Sequence, residues 1–332
     1  MKLLLKSSYL SLSLLLLFSV IVSCAPTAAP ASPASPSQQP GVSKTDTAQL
    51  AVRGPVSRFK IATTTSLYDT GLWSYLEPVF EKKASVEMDI VYAGTGIALE
   101  YGRRGDVDAM VVHDPAAEDK FIAEGYGINR RYFAYNYFII VGPPGDPAGI
   151  KGLTPEAAFQ KIYEAGKADP AKVKFISRGD NSGTHSKEKL IWQAAGYKYA
   201  DIQQSGPWYV EAGKGMGPCL LMANEMGAYV LADISTTLSY KGKLTVVTLV
   251  EKGDLFLNVY AAMAINPAKI TTAKMLPTAN SFINWLMSDE VQDIIAKYGV
   301  AEYGRSLFNP LKGGGCQDKG CPKPEDYTTP IK

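Results

Sequence analysis

From residue 58 onward the chain alternates short apolar runs, polar turns and helix-spaced segments in a repeating order. Residues 58–62 place Phe59 and Ile61 in a strand pattern, and a polar turn follows at residues 63–66. Residues 67–83 then carry Leu72, Leu76, Val79 and Phe80 at helical spacing. A second strand is predicted over residues 86–92, ending at Gly94-Thr95-Gly96 before a helix through Leu99 and Tyr101. Residues 107–112 form a third, running into His113-Asp114-Pro115 and a helix over residues 116–124. Three strand-loop-helix units in succession predict a mostly parallel sheet wrapped by helices. Such sheets hold ligands at the carboxyl ends of their strands, so the three loops become neighbours in space.

The aromatic-rich residues 131–141 read as a long strand closed by a turn at residues 142–145, and as the first crossing into a second lobe. That lobe takes a helix over residues 155–166, a strand over 173–177, a loop over 178–184, a helix over 187–195 and an apolar segment over 216–230. A strand over residues 244–250 precedes a return crossing over 256–265, and helices over 274–287 and 291–298 rejoin the first lobe. The expected architecture is an α/β two-lobed clamshell, each lobe a mostly parallel sheet flanked by helices. Lobe 1 comprises residues 58–137 and 252–308, lobe 2 residues 138–251, and residues 309–332 a C-terminal tail.

The start of the chain sets the compartment. Lys2 and Lys6 precede a Leu/Ser/Val-rich stretch over residues 10–22 that stops at Ser23-Cys24, a signal-peptide pattern over residues 1–24. The stretch is too short and too broken by serine for a spanning helix, which needs about 20 mostly apolar residues. Its end resembles the lipobox of bacterial lipoproteins, which implies lipidation of Cys24 and attachment to the outer face of the cytoplasmic membrane or retention in the periplasm. Ordinary cleavage with Cys24 incidental is the alternative. Residues 25–57, dominated by Ala, Pro, Ser, Thr and Gln, cannot bury enough apolar surface to offset the entropy of ordering and read as a tether.

With 46% hydrophobic residues a large core is available. A net charge of only +2 points to neither nucleic acid nor an anionic membrane surface as a partner, leaving the lipid anchor as the one membrane contact. Outside the cytoplasm Cys316 and Cys321 are expected to close a small disulfide loop. A zinc site there lacks ligands, since the chain contains only two histidines, His113 and His185. Cys219 reads as a buried thiol, His113 as a hydrogen-bonded wall residue and His185 as an exposed residue at a helix start. No cofactor and no metal cation is expected.

Candidate chemistry concentrates in S-R-G-D-N-S-G-T at residues 177–184, a strand end and glycine-rich loop opening a helix. A helix N-terminus leaves unpaired N–H groups and partial positive charge, so an oxyanion is stabilised there. Ser182, Gly183 and Thr184 supply hydroxyl and amide donors, and Arg178 a permanent cation with a planar fork of N–H groups. Asp180 is expected to turn aside and fix the guanidinium. Thr64, Thr65 and Ser66 offer the same kind of turn in the first lobe. Either loop alone is also what a helix cap requires. A hydrolase would recruit Ser66 or Ser182 with a histidine, yet neither serine lies in G-x-S-x-G, and no phosphate-binding G-x-x-x-x-G-K-[ST] occurs. An envelope lipoprotein without a small ligand is the third class.

A-T-T-T-S at residues 62–66, G-T-G at 94–96, E-Y-G-R-R-G-D-V-D at 100–108 and the S-R-G-D-N-S-G-T loop resemble, in order and spacing, the tungstate-binding TupA family. S-G-P-W-Y at 205–209, G-K-G-M-G at 213–217 and I-N-P-A-K at 265–269 extend the resemblance over about residues 60–298. It implies a type II periplasmic-binding-protein fold, a monomeric receptor, and delivery of tungstate or molybdate to an ABC permease with its ATPase. The oxyanion contacts it implies are Thr64, Thr65, Ser66, Arg178, Ser182, Gly183 and Thr184, with Thr95 beside them. Asp114 departs from the family pattern. It either caps the following helix or accepts the proton of a bound phosphate, which keeps a phosphate or sulfate receptor of the same fold as the alternative. Tungstate, molybdate and sulfate are bare dianions that need donors only.

Overall fold

The computed structural model describes residues 56–312, Cys316 and residues 320–332. The signal peptide, Cys24 and all of the tether but its last two residues lie outside the described residues. Ser57, assigned to the tether, is already the first residue of a strand.

In the N-terminal lobe β1 (Ser57–Thr64) runs parallel to both β2 (Val86–Ala93) and β3 (Ala109–Val112). Parallel neighbours need crossovers. These are α1 (Thr65–Asp69), α2 (Leu72–Ala84) and α3 (Thr95–Arg104), and α4 (Pro115–Ala123) follows β3. The single helix expected over residues 67–83 is two, because Gly71 takes a left-handed φ of 77° that a helix cannot pass through.

The long β4 (Gly127–Gly142) pairs with two sheets in turn. Next come α5 (Pro155–Ala168), β5 (Phe175–Ser177), α6 (Gly183–Ala194), α7 (Tyr199–Gln203), β6 (Tyr209–Glu211), α8 (Met216–Met226), β7 (Tyr229–Asp233), α9 (Ile234–Ser239) and β8 (Val247–Val250). The chain then returns through β9 (Leu257–Ile265) to α10 (Leu276–Leu286), α11 (Asp289–Lys297) and β10 (Asn309–Pro310).

The strand order is β2-β1-β3-β9-β4-β7-β5-β6, with β8 and β10 also on β4. From Gly127 to Tyr137, β4 lies antiparallel to β9; from Phe138 it lies antiparallel to β7. The crossing strands are therefore antiparallel, and the parallel pairing expected of each lobe is confined to β2-β1-β3 and β7-β5-β6. Both groups end their parallel strands on loops that face the same cleft. Short elements α7, β6 and α9 carry too few periodic positions to be read from sequence.

Each lobe has its own aromatic core. Phe59, Trp73, Phe80, Phe282 and Trp285 fill one, with Phe59 and Phe282 edge to face at 5.4 Å. Phe159, Phe175, Trp192 and Trp208 fill the other. Burying each such side chain contributes about 1.5–3 kcal/mol, so each lobe is stabilised by a core of its own. The tail lies on the crossing strands: Tyr132, Leu257, Val259 and Leu311 gather Cys316, Cys321 and Tyr327 around them, and Cys316 and Cys321 are joined in the expected disulfide. Among the described residues no helix is long and apolar enough to cross a membrane.

Candidate anion site

The loop after β5 is built outward from a buried carboxyl. Glu188 lies fully buried on α6 and accepts from Ser177 Oγ at 2.7 Å, Tyr209 OH at 2.6 Å and Trp192 Nε1 at 3.1 Å. Burial pushes its acid up to about 7, against the pull of those three donors. Ser177 Oγ in turn accepts from Gly179 N at 3.2 Å, which sets the chain direction beyond the strand. Gly179 has a φ of +61°, and a Cβ there would stand 2.8 Å from Glu211 Cβ, so the turn admits only glycine. Sequence reasoning missed Glu188. Its signal was the i, i+4, i+8 spacing of Thr184, Glu188 and Trp192, which sets a carboxyl on the buried face of the helix.

The turn carries Arg178 into the interior at 2% exposure. Its Nη2 donates to Asp180 Oδ2 at 2.5 Å, and Asp180 Oδ1 accepts from Ser182 N at 3.1 Å. Asp180 thus clamps the guanidinium from its own loop, as expected. Ser182 caps α6, its Oγ accepting from His185 N at 3.3 Å, and Gly183 and Thr184 open the helix. His185 is a correction: it is buried, not exposed. Its Nδ1 accepts from Asn181 N at 2.9 Å and its Nε2 meets Tyr199 OH at 2.6 Å, so the short α7, unread in the sequence, covers it.

The other lobe meets this loop directly. Thr95, at the start of α3, accepts from Gly183 N through Oγ1 at 3.0 Å, and Gly94 faces the Asp180 carbonyl. A Cβ on Gly183 would stand 3.0 Å from His113 Cε1. His113 Nε2 lies 3.2 Å from Ser66 Oγ, and Ser66 and Thr64 are both buried. Thr64 caps α1, Oγ1 accepting from Leu67 N at 3.4 Å. Thr65 is half-buried, with its methyl beside Gly215 at the start of α8. The structure therefore brings together residues of both predicted loops, and adds the N-terminus of α8. With five residues α1 is too short to carry a macrodipole, so the field comes from α3, α6 and α8, and the Thr64–Ser66 turn contributes hydroxyls.

Two buried donors at this junction, Arg178 Nε and Thr184 Oγ1, have no hydrogen-bond partner among the described residues, and neither has Thr63 Oγ1 on β1. An unpaired buried polar group costs about 1–3 kcal/mol, so the fold holds these donors at a price that an acceptor in the cleft would offset. Carboxylates surround the cation. Asp233, raised by burial and opposed by its bonds from Thr236, feels the Arg178 charge, as does Asp69. Asp114 is the cap of α4. Its Oδ1 accepts from Ala117 N at 3.1 Å, and its own N–H donates to Glu118 Oε1 at 3.0 Å. A cleft of about 690 Å³ lined by His113, Lys187, Asn258 and Thr154 opens beside the junction.

Residues 31–290 match the family model described as the PBP superfamily domain. The chain is 43% identical over 253 residues to the tungstate-binding protein TupA of Peptoclostridium acidaminophilum, covering 75% of this chain and 84% of the relative. Among solved structures it is similar to the tungstate-binding TupA of Desulfovibrio alaskensis G20, at 38% identity and a TM-score of 0.64 over 77% of this chain and 99% of the other. It is also similar to the tungstate ABC transporter protein of Geobacter sulfurreducens, at 44% identity and a TM-score of 0.63 over 73% and 98% of the two chains.

Proposed function

Because the chain belongs to the tungstate-binding TupA family within the PBP superfamily, we propose that it captures tungstate as a bare dianion between its lobes and delivers it to an ABC importer. It works outside the cytoplasm as the binding component of that importer. A permease and its ATPase are the partners, lipidated Cys24 the membrane tether, and the receptor acts as a monomer. The observation that carries the reading is the pair of buried, unpaired donors, Arg178 Nε and Thr184 Oγ1, beside the N-terminus of α6. Thr64, Thr65, Ser66, Thr95, Ser182 and Gly183 stand around them as further polar groups, with the Gly183 N–H donating to Thr95 Oγ1.

Selectivity follows from proton count. A bare dianion needs donors alone, whereas phosphate at neutral pH keeps a proton and needs an acceptor. Asp114, the residue that favoured phosphate in the sequence, has Oδ1 engaged in capping α4. Titration of the protein with tungstate, molybdate, sulfate and phosphate in competition tests this. Tungstate and molybdate should displace a hundredfold excess of phosphate, and preferential binding of phosphate would replace the reading with its alternative.

One observation favours a second reading. Ser66, His113 and Asn258 stand in the order of a nucleophile, a base and an orienting group, with Nδ1 of the ring 2.8 Å from Asn258 Oδ1. Ser66 is 2% exposed, and the similar proteins are transport components, so the chain is read as a receptor without catalysis. Turnover of a phosphoester or acyl ester by the purified protein, lost in Ser66→Ala, would establish the enzyme reading instead.

A further inference from the structure

The hydrogen bonds behind the site have a fixed direction. Ser235 Oγ must donate to the carbonyl of Leu307, at 2.8 Å, because that oxygen can only accept. Asn136 Nδ2 therefore donates to Ser235, leaving Asn136 Oδ1 to accept from Asn258 Nδ2 at 2.8 Å and from Tyr260 OH at 3.3 Å. The Asn258 amide is oriented by this, so Asn258 Oδ1 faces His113 Nδ1 at 2.8 Å and the ring must carry its proton on Nδ1. Neutral His113 then offers a lone pair at Nε2, and the only proton of Ser66 Oγ points at it. In that state Ser66 has only oxygen lone pairs left to offer an oxyanion, and these repel it.

Taking the function proposed above as its premise, we propose that the dianion enters together with one proton, taken from solvent onto His113 Nε2. Nε2–H then donates to Ser66 Oγ, the hydrogen bond between them reverses, and the freed Ser66 O–H turns to donate to the anion. His113 is a positioning residue that acts through Ser66. No covalent bond forms or breaks; the single proton gained by the ring balances one of the two charges brought in by the ligand.

The surroundings suit a ring that is neutral without the anion and charged with it. Burial pushes His113 down to about 4. The Asn258 bond and the neighbouring Asp114 raise it, while Arg178 on the α6 loop and Lys187 on α6 lower it further. Tyr260 of β9 packs on the ring at 4.9 Å between centroids. A nearby negative charge shifts such a group by roughly 1–3 pKa units, enough to bring it into the range from about 5 to 7. The cleft lined by His113 and Lys187 gives solvent a route to the ring.

Calorimetric titration of the full-length protein with micromolar tungstate, in buffers of different ionisation enthalpy, measures the protons taken up. Uptake should peak midway between the free and bound values, at about pH 4.5–5.5, and fall toward zero by pH 8, with affinity rising as pH falls across that window. His113→Gln, whose amide can donate to Ser66 at every pH, should bind tungstate with no proton uptake. Enthalpies that do not depend on buffer at pH 4.5–5.5, or uptake that persists in His113→Gln, would overturn the inference. If that variant does not fold, the wild-type chain still answers, because it has only two histidines to resolve by magnetic resonance. One ring signal should titrate at higher pH in the tungstate-saturated protein, and identical titrations with and without tungstate would overturn it. Absence of tungstate binding altogether would instead count against the proposed function.

Discussion

The backbone N–H of Gly183 donates to the hydroxyl of Thr95 at 3.0 Å, joining the first residue of α6 in one lobe to the first residue of α3 in the other, 88 positions earlier in the chain. Two helix N-termini are thereby brought edge to edge, with Arg178 and Thr184 beside them. The contact joins the two lobes at the site itself.

A Cβ at Gly183 would crowd His113 at 3.0 Å from Cε1. Overpacking of this kind costs about 1–3 kcal/mol, and here it falls on a contact between the two lobes. Gly183→Ala should weaken tungstate binding by roughly ten- to a hundredfold while leaving the unliganded melting temperature within a few degrees. Small-angle scattering of the variant with ligand should show a more open molecule than wild type; equal compactness would place Gly183 outside the closure contact.

Arg178 and Thr64 rank the donors. Hydrogen bonds to charged groups contribute about 1.5–3 kcal/mol against about 1 for neutral ones. Arg178→Gln should therefore lose roughly ten- to a hundredfold in affinity and Thr64→Ala about fivefold. Equal losses by calorimetry would refute the ranking.

Thr184 separates stability from binding. Its buried Oγ1 is unpaired among the described residues, so Thr184→Val removes an unsatisfied hydroxyl at nearly constant shape. The unliganded protein should be as stable as wild type or more stable by about 1 kcal/mol, while tungstate affinity falls several-fold. Loss of stability in chemical denaturation would reveal a partner for the hydroxyl inside the protein.

Glu188 gives the fold a pH dependence. Burial raises its acid from 4.5 to about 7, and Glu118, also buried, is raised to about 8. The folded chain binds both protons more tightly than the unfolded chain. Their stabilisation is complete below about 4.5 and is lost as pH rises through 7 to 8. Urea midpoints should decline from pH 5 to pH 8, and Glu188→Gln should flatten the part of that decline centred near 7. An unchanged slope would assign the effect elsewhere.

The strand-loop-helix order, the crossing strands and the S-R-G-D-N-S-G-T loop were legible because periodicity and turn chemistry are local: a few residues suffice to show which face is apolar and where an N-terminus opens. Arg178 clamped by Asp180, two residues away, belongs to the same class. Even the break at Gly71 was a local feature, though a helix pattern running through it concealed the turn.

His185 was misread and Glu188 unread for a different reason. What covers His185 is Tyr199, on a five-residue helix with too few turns for a periodic pattern, and what justifies a buried carboxyl at Glu188 is Tyr209, 21 positions on. The contacts that orient His113 reach Asn258, 145 positions away. Sequence alone determined the elements, their order and the donor types offered at each strand end, since these follow from backbone geometry over one or two turns. Tertiary structure decided which donors meet, which remain unpaired, and which way the protons point. Those depend on two separately packed cores being brought into register, a relation that no window of neighbouring residues contains.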